Sequence, residues 1–174
     1  IVSLHRQAAR ELGMRLLVQR GWGDLSLDDD DQRDVLVAGP LPHDWLFPRS
    51  AAVVHHGGIG VTARALKHRR PMLVEPYGRD QFFNAYRIVQ LGAGVAMHPH
   101  QLTVRGLCQA FTRLQSDSIR SRVADVAGHI DADGGIDHAC DLIESYLASQ
   151  SPRNPIQRDV VPPSPTTTIE RSLP

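Results

Sequence analysis

Apolar residues recur along the first 150 positions in two alternating rhythms. Leu4, Ala8 and Leu12 return every fourth residue and stop before Gly13, which predicts a helix. Short apolar runs follow at 14–18, 35–38, 51–54, 72–74 and 94–97, each closed within a few positions by glycine or proline. Runs of that length between breakers predict strands. A helix is expected at about 61–68, and another from Asp80 to Gly92. In the second, Asp80, Asn84 and Arg87 form one polar stripe, with Phe82, Phe83, Tyr86 and Val89 around the rest. Three amphipathic helices close the pattern, carried by Leu107, Phe111 and Leu114, then Ile119, Val123, Val126 and Ile130, then Ile136, Ala139 or Cys140, Ile143 and Leu147.

Strands alternating with helices predict an α/β fold, a Rossmann-like parallel sheet flanked by helices. Ligands of such sheets sit beyond the carboxyl ends of the strands. That rule brings Gly21-Trp22, Leu41-Pro42-His43, residues 55–60 and residues 77–81 to one edge. The stretch from Pro42 to Pro48 reads as a compact turn holding Trp45, Leu46 and Phe47. Residues 1–149 are expected to form one domain. Residues 151–174 hold six prolines, many Ser and Thr, and little to bury, so a disordered tail is expected from 150 onward.

Charge and cysteine usage narrow the function classes. The 19 Lys and Arg balance the 19 Asp and Glu, so the excess positive charge of a nucleic-acid binder is missing. The apolar runs are too short for a bilayer span, and the first ten residues do not have the pattern of a signal peptide. Cys108 and Cys140 lie in apolar-periodic segments without a C-x-x-C spacing, which predicts two small buried residues in a reducing compartment and a cytoplasmic chain.

The strand-to-helix turn His55-His56-Gly57-Gly58-Ile59-Gly60 is the most informative stretch. Three glycines in four positions remove side chains where backbone N–H groups can face a ligand, and the helix start after them adds partial positive charge. That suits a phosphate or diphosphate, with His55 as a further donor. The same glycines also suit a tight turn that only lets the helix approach the sheet. Asp80-Gln81 has two readings as well. A carboxylate beside an amide suits sugar hydroxyls, and an aspartate at a helix start also caps free N–H groups. Asp28-x-Asp30 sits in a run of four aspartates and reads as a solvated loop, and the nine histidines show no zinc spacing, so no metal is expected.

Pro42-His43-Asp44-Trp45-Leu46-Phe47-Pro48, the His-His-Gly-Gly-x-Gly turn, and Pro76 through Asp80-Gln81 together resemble the C-terminal, nucleotide-sugar-binding half of family 1 glycosyltransferases with the GT-B fold. The flavour is that of sterol glucosyltransferases and of bacterial enzymes that glycosylate macrolides, glycopeptides and flavonoids. The Arg20-Gly21-Trp22 turn and Asn84-Ala85 also fit, and the resemblance covers about residues 1–148. It implies that His55 contacts the donor diphosphate, with backbone groups from Gly57, Gly58, Ile59, Gly60 and Val61 at the same phosphates. It implies Asp80 and Gln81 at the sugar hydroxyls, Leu41, Pro42 and His43 near the nucleobase, and Trp22 on the adjoining turn.

The implied reaction is an inverting, metal-independent transfer of a hexose from a nucleotide diphosphate sugar of the UDP-glucose type to a hydroxyl of a lipophilic or natural-product acceptor. The nucleotide sugar is a co-substrate, and no cofactor is implied. The general base and the acceptor pocket belong to the family's N-terminal half, so no catalytic residue is assigned within this chain, and the chain alone is expected not to transfer sugar. Two departures stand out: Ile59 and Val61 replace the family's usual Ala or Ser and Thr, with Thr62 adjacent. Two competing readings remain. Gly58-Ile59-Gly60-Val61-Thr62-Ala63 fits the G-x-G-x-x-A of a dinucleotide-binding Rossmann domain, with Glu75 one strand later as a ribose acid. The chain is otherwise a non-catalytic nucleotide-sugar-binding remnant.

Overall fold

A computed structural model describes residues 1–20, 34–132 and 134–149. They divide into two compact units, Ile1–Gly135 and a second from Ile136 onward. The first unit holds α1 (Val2–Glu11), β1 (Leu16–Gln19), β2 (Val35–Ala38), α2 (His43–Leu46), β3 (Val53–His55), α3 (Ile59–Lys67), β4 (Met72–Val74), α4 (Gln81–Gln90), β5 (Gly94–Ala96), α5 (Val104–Leu114) and α6 (Asp117–Ala132). The second unit is described only through α7 (Gly135–Ser149), whose apolar side chains Ile136, Leu142, Ile143, Tyr146 and Leu147 are exposed. The acidic run around Asp28 and the tail after Ser149 lie outside the described residues.

All five expected strands form, and every pair is parallel. They fall into two sheets, β1-β2 and β3-β4-β5, where the alternation pointed to one. The ladders explain the division. Leu16 donates to Asp34 just ahead of β2 and Arg20 to Ala38 at its end, and Val53 draws on Pro71 beside β4, so no described ladder joins β1 to β3. Strand β3 also begins two residues later than its apolar run, which carries it to His55 at the mouth of the glycine turn. The alanines at its start have little area to bury, and pairing with β4 sets the register: Val53 with Met72 and His55 with Val74.

The core is centred on β4. Met72, Leu73 and Val74 are fully buried, as a strand covered on both faces requires. Around them lie Ala65 and Leu66 of α3, Ala85 and Ile88 of α4, Leu107, Phe111 and Leu114 of α5, and Ile119 and Val123 of α6. Helix α1 packs along α5, and α3 packs on α6. No helix among the described residues is long and apolar enough to cross a membrane.

In α4 the polar stripe splits: Asn84 is 8% exposed beside buried Ala85 and Ile88, while Asp80 and Arg87 are exposed, as are Phe82, Phe83, Tyr86 and Val89. The buried amide nitrogen donates two hydrogen bonds, described below, which offset the penalty for burying it. Neither cysteine is fully buried. Cys108 is half-buried, with its thiol donating to Glu11, and Cys140 is exposed.

Strand β5 can approach β4 only through a missing side chain. A methyl group at Gly94 would lie 2.2 Å from the Met72 carbonyl oxygen and 2.9 Å from Ile88 Cγ2. Gly94→Ala is therefore expected to lower unfolding stability by about 3 kcal/mol in urea titrations. Gly128→Ala, in the open interior of α6 where a methyl meets nothing within 4 Å, is expected to raise it by about 0.5–1 kcal/mol.

Candidate functional site

The turn between β3 and α3 is built on Gly57. Its φ of +97° is open to glycine and closed to L side chains. A methyl there would also lie 2.9 Å from Val74 Cγ1 and 3.1 Å from the Gln81 carbonyl oxygen. The turn therefore packs directly against the backbone that starts α4. Asn84 completes the joint: its Nδ2 donates to the Gly57 carbonyl at 2.8 Å and to Asp80 Oδ2 at 3.2 Å. Asp80 and Gln81 thus stand beside the glycine turn, which the chain order alone does not require.

The three glycines do different work. Gly57 is demanded by backbone and packing. At Gly58 an added methyl would meet His56 Nε2 at 2.7 Å, because the exposed His56 ring folds back over the turn. At Gly60 a methyl would meet nothing within 4 Å. The close approach of helix to sheet does not need Gly60, and its missing side chain leaves open space over the start of α3. No side chain caps that helix end, and its first turn holds no acidic residue. The first intrahelical bond runs from Thr62 N–H to Gly58, so the N–H groups of Ile59, Gly60 and Val61 come before it. Ile59 is 64% exposed at this mouth. The Thr62 hydroxyl is turned inward and donates to the Gly58 carbonyl at 2.9 Å, so it does not replace the hydroxyl absent at Val61.

His55 is half-buried at the end of β3. Its Nδ1 accepts from the Gly57 N–H at 3.0 Å, which places the ring proton on Nε2, 3.4 Å from Met72 Sδ. Burial, with the neighbouring charges of His56 and His43, pushes its pKa down to about 4. The imidazole is therefore neutral near pH 7, and its Nε2–H is turned towards the buried Met72 sulfur, away from the direct donor contact expected of His55. His43 is the first residue of α2. Its ring stacks on buried Phe47 with centroids 4.6 Å apart. Asp44 ties this segment to α3 through Arg64 at 2.6 Å and His68 at 2.8 Å, and the His68 bond leads the lowering of its pKa. Pro42 is the extended residue ahead of α2. Trp22 lies outside the described residues.

Asp80 does not cap α4 with its side chain. Its carboxylate takes the Asn84 amide on one oxygen and is otherwise exposed. Gln81 Oε1 accepts the N–H groups of Tyr77 at 2.8 Å and Gly78 at 3.2 Å, closing the loop 77–81 and leaving its NH₂ group as the remaining donor. Arg79 holds the left-handed φ of +56° between them. Glu75, the ribose acid of the dinucleotide reading, is 5% exposed and bonded to His5, so it presents no open face to a ribose. Sequence reasoning missed this pair and the inward role of Asn84. The only signal for Asn84 was its place four residues after Asp80.

The two buried histidines give stability a pH profile with opposite flanks. His55 protonates near pH 4 when folded and near 6.5 when unfolded. The unfolded chain binds more protons between those values, so stability rises with pH across them. For His5 burial lowers the pKa, but hydrogen bonds to Glu75 and Ile1 and the Glu75 charge outweigh burial and the Ile1 amine, and the value rises above 6.5. Its contribution is complete below 6.5 and is lost as pH climbs through the folded value. Thermal melts from pH 4 to 9 are expected to show a rising acid flank that His55→Asn flattens and a falling alkaline flank that His5→Gln flattens. An acid flank untouched by His55→Asn would contradict a neutral buried ring.

Comparison with known proteins places the chain in a family. Residues 30–133, more than half of the chain, match the family model "Erythromycin biosynthesis protein CIII-like, C-terminal domain". A sterol 3-beta-glucosyltransferase of Arabidopsis thaliana is 35% identical over 148 residues, covering 84% of this chain and 24% of that protein. Glycosyltransferase GtfE of Amycolatopsis orientalis is 36% identical over 149 residues, covering 86% of this chain and 36% of the relative. The solved glycosyltransferase of kitacinnamycin superposes with a TM-score of 0.77 at 27% identity, over 83% of this chain and 38% of that one. The chain thus spans between about a tenth and two fifths of the length of the proteins it matches. It belongs to the erythromycin biosynthesis protein CIII-like C-terminal domain family and has the fold of the C-terminal half of GT-B glycosyltransferases.

Proposed function

We propose that the chain binds the donor of a hexosyl transfer, a nucleotide diphosphate sugar of the UDP-glucose type. The diphosphate lies over the open space at Gly60, where the N–H groups of Ile59, Gly60 and Val61 and the positive end of α3 meet it. Gly57 and Gly58 shape the turn below it, and the His55 ring backs the turn. Asp80 and the Gln81 amide take the sugar hydroxyls, and Pro42 with His43 lies towards the nucleobase. The observation that carries this reading is the joint of Gly57, Gln81 and Asn84, which holds an anion-type turn and a hydroxyl-type pair in contact.

In the transfer, the acceptor oxygen attacks the anomeric carbon with inversion while the bond to the phosphate oxygen breaks. The electron pair leaves with the nucleoside diphosphate, and the dipole of α3 stabilises that charge without a metal. The acceptor is a hydroxyl on a lipophilic or natural-product molecule. Its proton goes to a base in the N-terminal half of the GT-B architecture.

Calorimetry with UDP-glucose, UDP and NAD tests the reading. UDP-glucose and UDP are expected to bind and compete, and NAD is not expected to displace either. Asp80→Ala is expected to weaken UDP-glucose about tenfold by loss of charge-assisted hydrogen bonds, with UDP changed less than about twofold. Equal losses for both ligands would remove Asp80 from the sugar.

A further inference from the structure

Glu75 holds the origin of the donor-site loop. It follows β4 directly, and its N–H donates to the His55 carbonyl at 2.9 Å, joining it to the strand that opens the glycine turn. Two and three residues further on, Tyr77 and Gly78 are clamped by Gln81. The Glu75 carboxylate points the other way, to His5 of α1. Its Oε1 lies 2.7 Å from His5 Nε2, with the two residues 5% and 7% exposed.

The His5 ring is fully defined by its surroundings. Nδ1 faces the Ile1 carbonyl at 3.0 Å, and Phe111 of α5 lies 6.3 Å away, centroid to centroid. Both ring nitrogens therefore face acceptors, a carbonyl and a carboxylate. Only the doubly protonated ring donates to both, which agrees with its raised pKa. A buried charged pair is a poor way to gain stability, because an apolar pair of similar size is often as stable. What the pair supplies is direction: it fixes where the chain leaves β4.

We propose that His5 and Glu75 are positioning residues for the donor site, their buried bond holding the 76–81 loop so that Asp80 and Gln81 stay seated against Gly57. Neither touches the donor. The inference rests on the donor reading for its consequence, while the tether itself is a property of the chain alone.

The test uses the full chain and three variants, His5→Leu, His5→Gln and Glu75→Gln. Amide hydrogen exchange by NMR needs no ligand. In His5→Leu the Tyr77 and Gly78 amides are expected to exchange about tenfold faster relative to Leu107 in the α5 core, as for loss of one charge-assisted bond. His5→Gln, which keeps a donor towards Glu75, is expected to recover most of that protection, and Glu75→Gln to fall between. By calorimetry, His5→Leu is expected to weaken UDP-glucose more than UDP. Equal acceleration at Tyr77, Gly78 and Leu107, or no recovery in His5→Gln, would reduce the pair to general stability and overturn the proposal. Localised acceleration in His5→Leu, together with a wild-type chain that binds no nucleotide sugar, would confirm the tether and remove the donor reading.

Discussion

The site depends on one residue having no side chain. Gly57 takes a backbone conformation that L residues avoid, and it sits within about a methyl's reach of Val74 and the Gln81 backbone. Any side chain at that position must push apart the end of β4 and the start of α4. Because none is there, two strand-to-helix turns that are separate in sequence close into a single surface. Asn84 then converts contact into registration, holding the Gly57 carbonyl and the Asp80 carboxylate with one amide. The geometry is set by exclusion and hydrogen bonding, with little help from charge.

Charge is placed with restraint around that joint. His55, at the end of β3, is desolvated and neutral near pH 7, and it is engaged with Gly57 N–H and Met72. His5, more deeply buried and on α1, has a carboxylate and a carbonyl facing its two ring nitrogens, which raises its pKa. The mouth of α3 relies on backbone dipoles, and no acidic side chain in its first turn opposes them. In the proposed donor reading, the diphosphate is met mainly by oriented N–H groups whose directions are fixed before the ligand arrives.

Reading the sequence against the structure separates local signals from non-local ones. Strands β2 and β4 were legible to the residue because their apolar runs end at Gly39-Pro40 and Glu75-Pro76. The α3 helix was legible from the glycines that start it. The same local logic failed at α4, where spacing alone could not say which face of the helix turns inward. Asn84 is buried because its partners are carbonyl and carboxylate groups of its neighbours, while Phe83 and Tyr86 stay outside. The division into two sheets was illegible for a related reason, since a strand's pattern records that it pairs and not with which neighbour.

The sequence by itself determined the alternation of strands and helices, the glycine turn, and the presence of a carboxylate and an amide at a helix start. Each is a short-range property of consecutive residues, set by φ freedom, periodicity and side-chain chemistry. Only the tertiary structure decided which of the three glycines is obligatory, that Gly60 opens onto free space, that His55 is neutral, and that Glu75 turns inward to a histidine 70 residues earlier. Those outcomes rest on packing and desolvation between segments distant in sequence, and burial and electric field at a residue are properties of its surroundings.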